Sequence, residues 1–160
     1  MKKKTMLPGL LSVMAFLIAC TPKPETPVAV VIDKEQIKKE IQAREDEFAA
    51  LYNGGVVKDI GYYAEDATTF FQNTAPLVGK KAIVEFLTSD LVSNTNKISF
   101  KTNDVFVSSD GAQVVEIGYF TVSDSTGTAI NTGNYMSLFE KRDGKYVCLR
   151  DMSASDRPLE

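Results

Sequence analysis

The chain has 160 residues, 44% of them hydrophobic and 24% charged, the make-up of one folded domain with one core rather than of a disordered chain. Its formal charge of −3 gives no basic footprint for nucleic acid. It contains no histidine, which excludes Ser-His-Asp and Cys-His nucleophile activation, imidazole acid–base chemistry and histidine metal sites, and leaves any proton transfer to Asp, Glu, Tyr, Lys or Cys.

The chain opens with Lys2, Lys3 and Lys4, followed by an apolar run from Leu7 to Ala19 interrupted by Pro8, Gly9 and Ser12. That run is too short to span a bilayer well and ends in small residues, as a secretory leader does. Leu17-Ile18-Ala19-Cys20 resembles the bacterial lipoprotein lipobox. The resemblance implies a signal peptide over residues 1–19 and a lipidated Cys20 that anchors the mature chain to the bacterial cell envelope. With Thr21 rather than Asp after the cysteine, it also implies the outer membrane, facing the periplasm. An ordinary signal peptide or short anchor with an incidental cysteine is the alternative. Residues 20–31 include three prolines between Thr21 and Pro27 and read as an extended tether. Cys148 is then left without a disulfide partner, in the apolar run Tyr146-Val147-Cys148-Leu149, and reads as a small buried hydrophobe.

From Ile32 to Asn53 the residues Ile37, Ile41, Phe48, Leu51 and Tyr52 recur at helical spacing. Asp33 is the expected N-cap with Gln36 three residues on, and Gly54-Gly55 the stop. A short second helix is predicted over Val57–Tyr63, a strand over Thr68–Gln72, and a third helix over Lys80–Leu91 with Ile83, Phe86, Leu87 and Leu91 on its apolar face. Four strands follow: Ile98–Val107, Gln113–Ser123, Ile130–Lys141 and Lys145–Met152. Arg142-Asp143-Gly144 between the last two is the strongest hairpin signal in the chain, because such a turn needs positive φ. Helices gathered early and strands late argue α+β, with helices on one face of a mostly antiparallel sheet. The domain is expected over residues 32–156, with 157–160 a tail.

Several short motifs now fall into a familiar order. Asn53-Gly54, the run Tyr63-Ala64-Glu65-Asp66-Ala67, Gly79 to Phe86, Tyr135 to Phe139, Asp143 to Tyr146 and Arg150-Asp151 together resemble the nuclear transport factor 2-like superfamily, in particular its SnoaL-like bacterial members. The resemblance implies a cone, a strongly curved sheet around three helices, enclosing a pocket. It also implies pairing through the sheet into a homodimer. The superfamily holds isomerases, cyclases and dehydratases as well as binding and dimerisation modules, so the fold leaves function open. Ketosteroid isomerases of the superfamily place their catalytic Asp eight residues after the aromatic that corresponds to Tyr63. Phe71 stands there, and at the oxyanion tyrosine's place stand Glu47 or Phe48.

The expected pocket residues are Tyr63, Tyr119, Tyr135 and Arg150, the last as a holder of a carboxylate ligand. Asp66, Glu116 and Asp151 are the possible acid–base groups. Strict alternation along the last strand puts Arg150 with Tyr146, Cys148 and Met152, and Asp151 with Val147, Leu149 and Ser153. No metal constellation and no phosphate-binding loop is present, so neither a metal nor a cofactor is expected. The leading reading is a membrane-tethered module that binds a small apolar ligand or dimerises. The alternative is a SnoaL-like isomerase, cyclase or hydrolase with an Asp or Glu base.

Overall fold

The structure is a computed structural model and describes residues 31–158. The expected leader, Cys20 and the expected tether up to residue 30 lie outside the described residues. Helix α1 (Lys34–Asn53) starts where Asp33 Oδ1 accepts from the Gln36 N–H at 2.9 Å. The Gln36 side chain turns to Glu40 instead of reaching back, so only one half of the capping box forms. The helix stops in a Schellman turn. Val56 N–H donates to Leu51 O at 2.9 Å, and Gly55 sits at φ +74°, a conformation that costs glycine nothing.

The predicted helix over Val57–Tyr63 is absent. Its place is taken by a tight turn with a single Ile60-to-Val57 backbone bond of 3.3 Å. Val57 and Ile60, three residues apart, are pinned into the core, and one turn with a β-branched residue at each pinned position does not repay helix nucleation. Among the described residues the fold therefore has two helices rather than three. The chain then enters β1 (Tyr63–Phe70), earlier than the predicted start at Thr68, passes through the two-residue β2 (Leu77–Val78), and forms α2 (Lys80–Ser93). The strands β3 (Lys97–Val107), β4 (Gln113–Ser123), β5 (Ala129–Arg142) and β6 (Lys145–Ser155) complete one six-stranded sheet in the order β2-β1-β6-β5-β4-β3. All neighbours are antiparallel except β1 and β6. Asp143 and Gly144 both take positive φ, which makes the β5–β6 connection the tight, twist-matched turn that Asp-Gly favours.

Both helices cover the inner face of the curved sheet. Between them lie the fully buried Ile41, Ile60, Ile83, Val105, Val114, Phe139 and Cys148. Register breaks bend the sheet at Thr102/Asp104 in β3 and at Leu138/Phe139 in β5. At the second, the β6 partners step from Cys148 to Arg150 and leave Leu149 as an extra residue. This bulge overturns the expected alternation. Tyr146 and Cys148 face inward before it, Asp151 and Ser153 after it, and Arg150 faces out.

Candidate functional site

A cavity of about 230 Å³ lies between α1, α2 and the inner face of the sheet. Two wider depressions, near Ile130 and Arg157 and near Ile32 and Tyr146, are open to solvent on most sides. The enclosed cavity has two zones. Toward its mouth Phe71 stacks on Phe86 at 4.8 Å, with Leu87, Ile98 and Phe100 beside them. At the mouth Tyr52 donates to Asp90, and burial raises the phenol's pKa. At the inner end stand Glu45, Tyr62, Tyr63, Thr69, Tyr135, Ser137 and Asp151. The rings of Tyr62 and Tyr63 meet edge to face at 4.8 Å, and Phe48 packs edge-on to both.

The inner end holds three carboxyl groups. Asp151 Oδ2 accepts from Tyr63 OH at 3.0 Å, while its buried Oδ1 has no partner. Burial pushes its pKa up to about 6, against the pull of the neighbouring Thr69 and Tyr63 hydroxyls. Glu116 Oε1 accepts from Thr102 Oγ1 at 2.5 Å and Tyr135 OH at 2.8 Å. Glu45 Oε1 accepts from Tyr62 OH at 2.5 Å, and the Glu45 carboxyl lies against that of Glu116. Two carboxylates buried against each other cannot both ionise. Burial raises both pKa values, and Glu45 keeps the shared proton because Glu116 has the richer set of donors. Glu116 Oε2 is buried with no hydrogen-bond partner. Burial beside these acids keeps Tyr62, Tyr63 and Tyr135 protonated, with pKa values raised, so they act as neutral donors.

Of the residues singled out in the sequence, Tyr63, Tyr135 and Asp151 line the cavity, and Glu116 lies directly behind Tyr135. The other three stand elsewhere. Tyr119 is 49% exposed on the outer face, because strand alternation opposes it to inward Phe120. Arg150, turned out by the bulge, donates to the Asp66 carbonyl at 3.0 Å. Asp66 is exposed and takes a forked pair of bonds from Arg142 at 2.6 and 3.2 Å, which holds its carboxyl below the usual range. Cys148 is buried and free, and burial pushes its thiol pKa up, away from reactivity.

Sequence reasoning missed Glu45, Asp90 and Ser137. The signal for Glu45 was present. The inward stripe of α1 runs Ile37, Ile41, Glu45, Phe48, Tyr52, and an acid occupies its middle. Among the described residues no cluster of Cys, Asp and Glu could hold a metal ion, and no helix is long and apolar enough to cross a membrane.

This architecture, a curved sheet closing on helices around one cavity, is that of the nuclear transport factor 2-like, cystatin-like fold. A protein of this fold from Novosphingobium aromaticivorans is 15% identical, with TM-score 0.67 over 78% of this chain and 85% of its own. A protein of unknown function from Mycobacterium tuberculosis is 20% identical, with TM-score 0.66 over 79% and 76%. A ketosteroid isomerase-like protein from Erwinia carotovora atroseptica is 16% identical, with TM-score 0.62 over 79% and 100%. The chain belongs to the SnoaL-like domain family, whose profile matches residues 46–149. No curated protein matches it.

Proposed function

We propose that the protein is a membrane-tethered module that seats a small, mostly apolar molecule in the cone. One observation carries this reading: an aromatic cavity ends in the buried, unpartnered Asp151 Oδ1 and Ser137 Oγ. Buried polar atoms left unpaired are costly, and a ligand's polar group inserted there relieves that cost. The volume suits a ligand below drug size. Native mass spectrometry of the full chain, released gently from membranes of its own host, is expected to show protein carrying a small molecule. Ligand-free protein in every preparation counts against the reading.

The tether is the lipid on Cys20, and the resembled lipobox supports it. Cys20→Ser is expected to move the protein from the membrane fraction to the soluble fraction. Retention of the variant in the membrane argues for a different anchor.

A homodimer through the outer sheet face is the second part of the proposal. Register places Phe70, Met152, Met136 and Ile117 side by side across four strands, and Phe70, Met152 and Met136 are each at least 40% exposed. An apolar row of this kind is what a self-complementary interface buries. Met136→Lys is expected to convert a dimer into a monomer in sedimentation at micromolar concentration. A native protein that is already monomeric there sinks this part alone.

A second reading, proton-transfer catalysis, is favoured by Asp151. A partly buried carboxyl with a pKa near 6 and a tyrosine on one oxygen is ionised at neutral pH and still basic enough to take a proton. If a bound molecule is recovered, its conversion by native protein and not by Asp151→Asn supports the enzyme. Return of the molecule unchanged supports the binding module.

A further inference from the structure

Resting on the pocket reading, we infer that the ligand is an organic cation, a protonated amine on a compact apolar body. Its ammonium group would sit at the inner end between Asp151 Oδ1 and Ser137 Oγ.

Three features of the cavity point to this charge. Its lining includes the carboxyl groups of Asp151, Asp90 and the protonated Glu45, and no Lys or Arg. Three arginines of the fold are engaged elsewhere. Arg142 lies on Asp66 and Glu140, Arg150 on backbone carbonyls, and Arg44 on Glu47 and the Gly61 carbonyl. An anionic ligand would meet a wall of carboxyl oxygens with nothing to balance them. A cation would meet fixed partners.

The unpartnered atoms give the second indication. Ser137 is 1% exposed, lines the cavity, and its Oγ has no partner. Asp151 Oδ1 has none either, and the two residues pair across β5 and β6. Ser137 Oγ accepts as readily as it donates, while a carboxylate only accepts, so a group with several N–H donors satisfies both at once. The lining is the third. Nine of its eighteen residues are aromatic, and ring faces attract cations that have left water.

The groups facing Asp151 are Tyr62 just before β1, Tyr63 at its start, Thr69 further along it, Glu45 of α1, Ser137 of β5 and Cys148 of its own strand. None is a base, so binding a cation depends on Asp151 being ionised, and affinity falls as pH drops below its pKa.

The test uses full-length protein in detergent and three probes of one shape: 2-phenylethylamine, 2-phenylethanol and phenylacetate. Calorimetry at pH 8 is expected to rank the amine first by about tenfold over the alcohol, with the acid last. Asp151→Asn is expected to remove that preference, and lowering the pH from 7 to 5 to weaken the amine by up to about tenfold with little effect on the alcohol. Should Asp151→Asn fail to fold, Ser137→Ala and the pH series on native protein serve instead. The alcohol or the acid binding as tightly as the amine overturns the cation inference and leaves the pocket reading standing. Heat from none of the three overturns both.

Discussion

Glu45→Gln is expected to be more stable than the native protein at pH 8, with a margin that shrinks as the pH falls and vanishes near pH 4. The reason is the proton that Glu45 keeps. Its carboxyl is 1% exposed, and burial together with Glu116 raises its pKa well above the ordinary value. For a carboxyl with a raised folded pKa, the native state binds the proton more tightly than the unfolded chain does. Its favourable contribution is complete below the unfolded pKa and is lost as pH rises toward the folded one. Across that window the loss is about 1.4 kcal/mol per pH unit. Glutamine imitates the protonated form permanently. Its carbonyl can accept from Tyr62 OH, and its amide can donate to Glu116, which keeps Thr102 and Tyr135 as donors. Urea denaturation of the two proteins at pH 5 and pH 8 makes the check. A native protein equally stable at both, with Glu45→Gln below it throughout, means that the pair does not share a proton.

Why native chemistry retains such a pair follows from its place. An apolar residue at position 45 would extend the stripe of Ile37, Ile41, Phe48 and Tyr52 and would stabilise a simple core. The acid instead fixes Tyr62, and through Glu116 it fixes Tyr135, so two phenol groups at the inner end of the cavity hold one orientation each. A ligand then meets phenol rings and oxygens that need no reordering.

Local chemistry made much of this legible in the sequence. The Asp33 cap, the Gly54-Gly55 stop and the Asp143-Gly144 turn each rest on a few adjacent residues, and each lies where the residues place it. The SnoaL-like order of motifs was legible for the same reason. The turn at Val57–Ile60 was not, because two apolar residues three apart suit a helix and a pinned turn equally. The direction of Asp151 was hidden by a long-range cause. Only the pairing of β6 with β5 reveals that Leu149 is extra, and that one residue decides which of Arg150 and Asp151 enters the cone. Arg150 inward would have put a positive charge in the cavity. Asp151 inward puts a carboxyl group there instead.

Gly118→Ala is expected to cost about 1–3 kcal/mol and to dislodge Tyr135. Gly118 lies opposite Tyr135 on β4, and the Tyr135 ring folds across it to reach Glu116. A Cβ on Gly118 would overlap that ring. Its backbone is not in the left-handed region, so the cost is steric alone. A double-mutant cycle separates the ring from its hydroxyl. Tyr135→Phe keeps the ring and loses the bond to Glu116, so Gly118→Ala should cost nearly as much in that background as in the native one. Tyr135→Leu removes the ring, and the cost of the alanine should fall close to zero. A cost that stays unchanged beside Tyr135→Leu would place the strain in the backbone of β4. Tyr135 would then reach Glu116 without needing the gap that the glycine leaves.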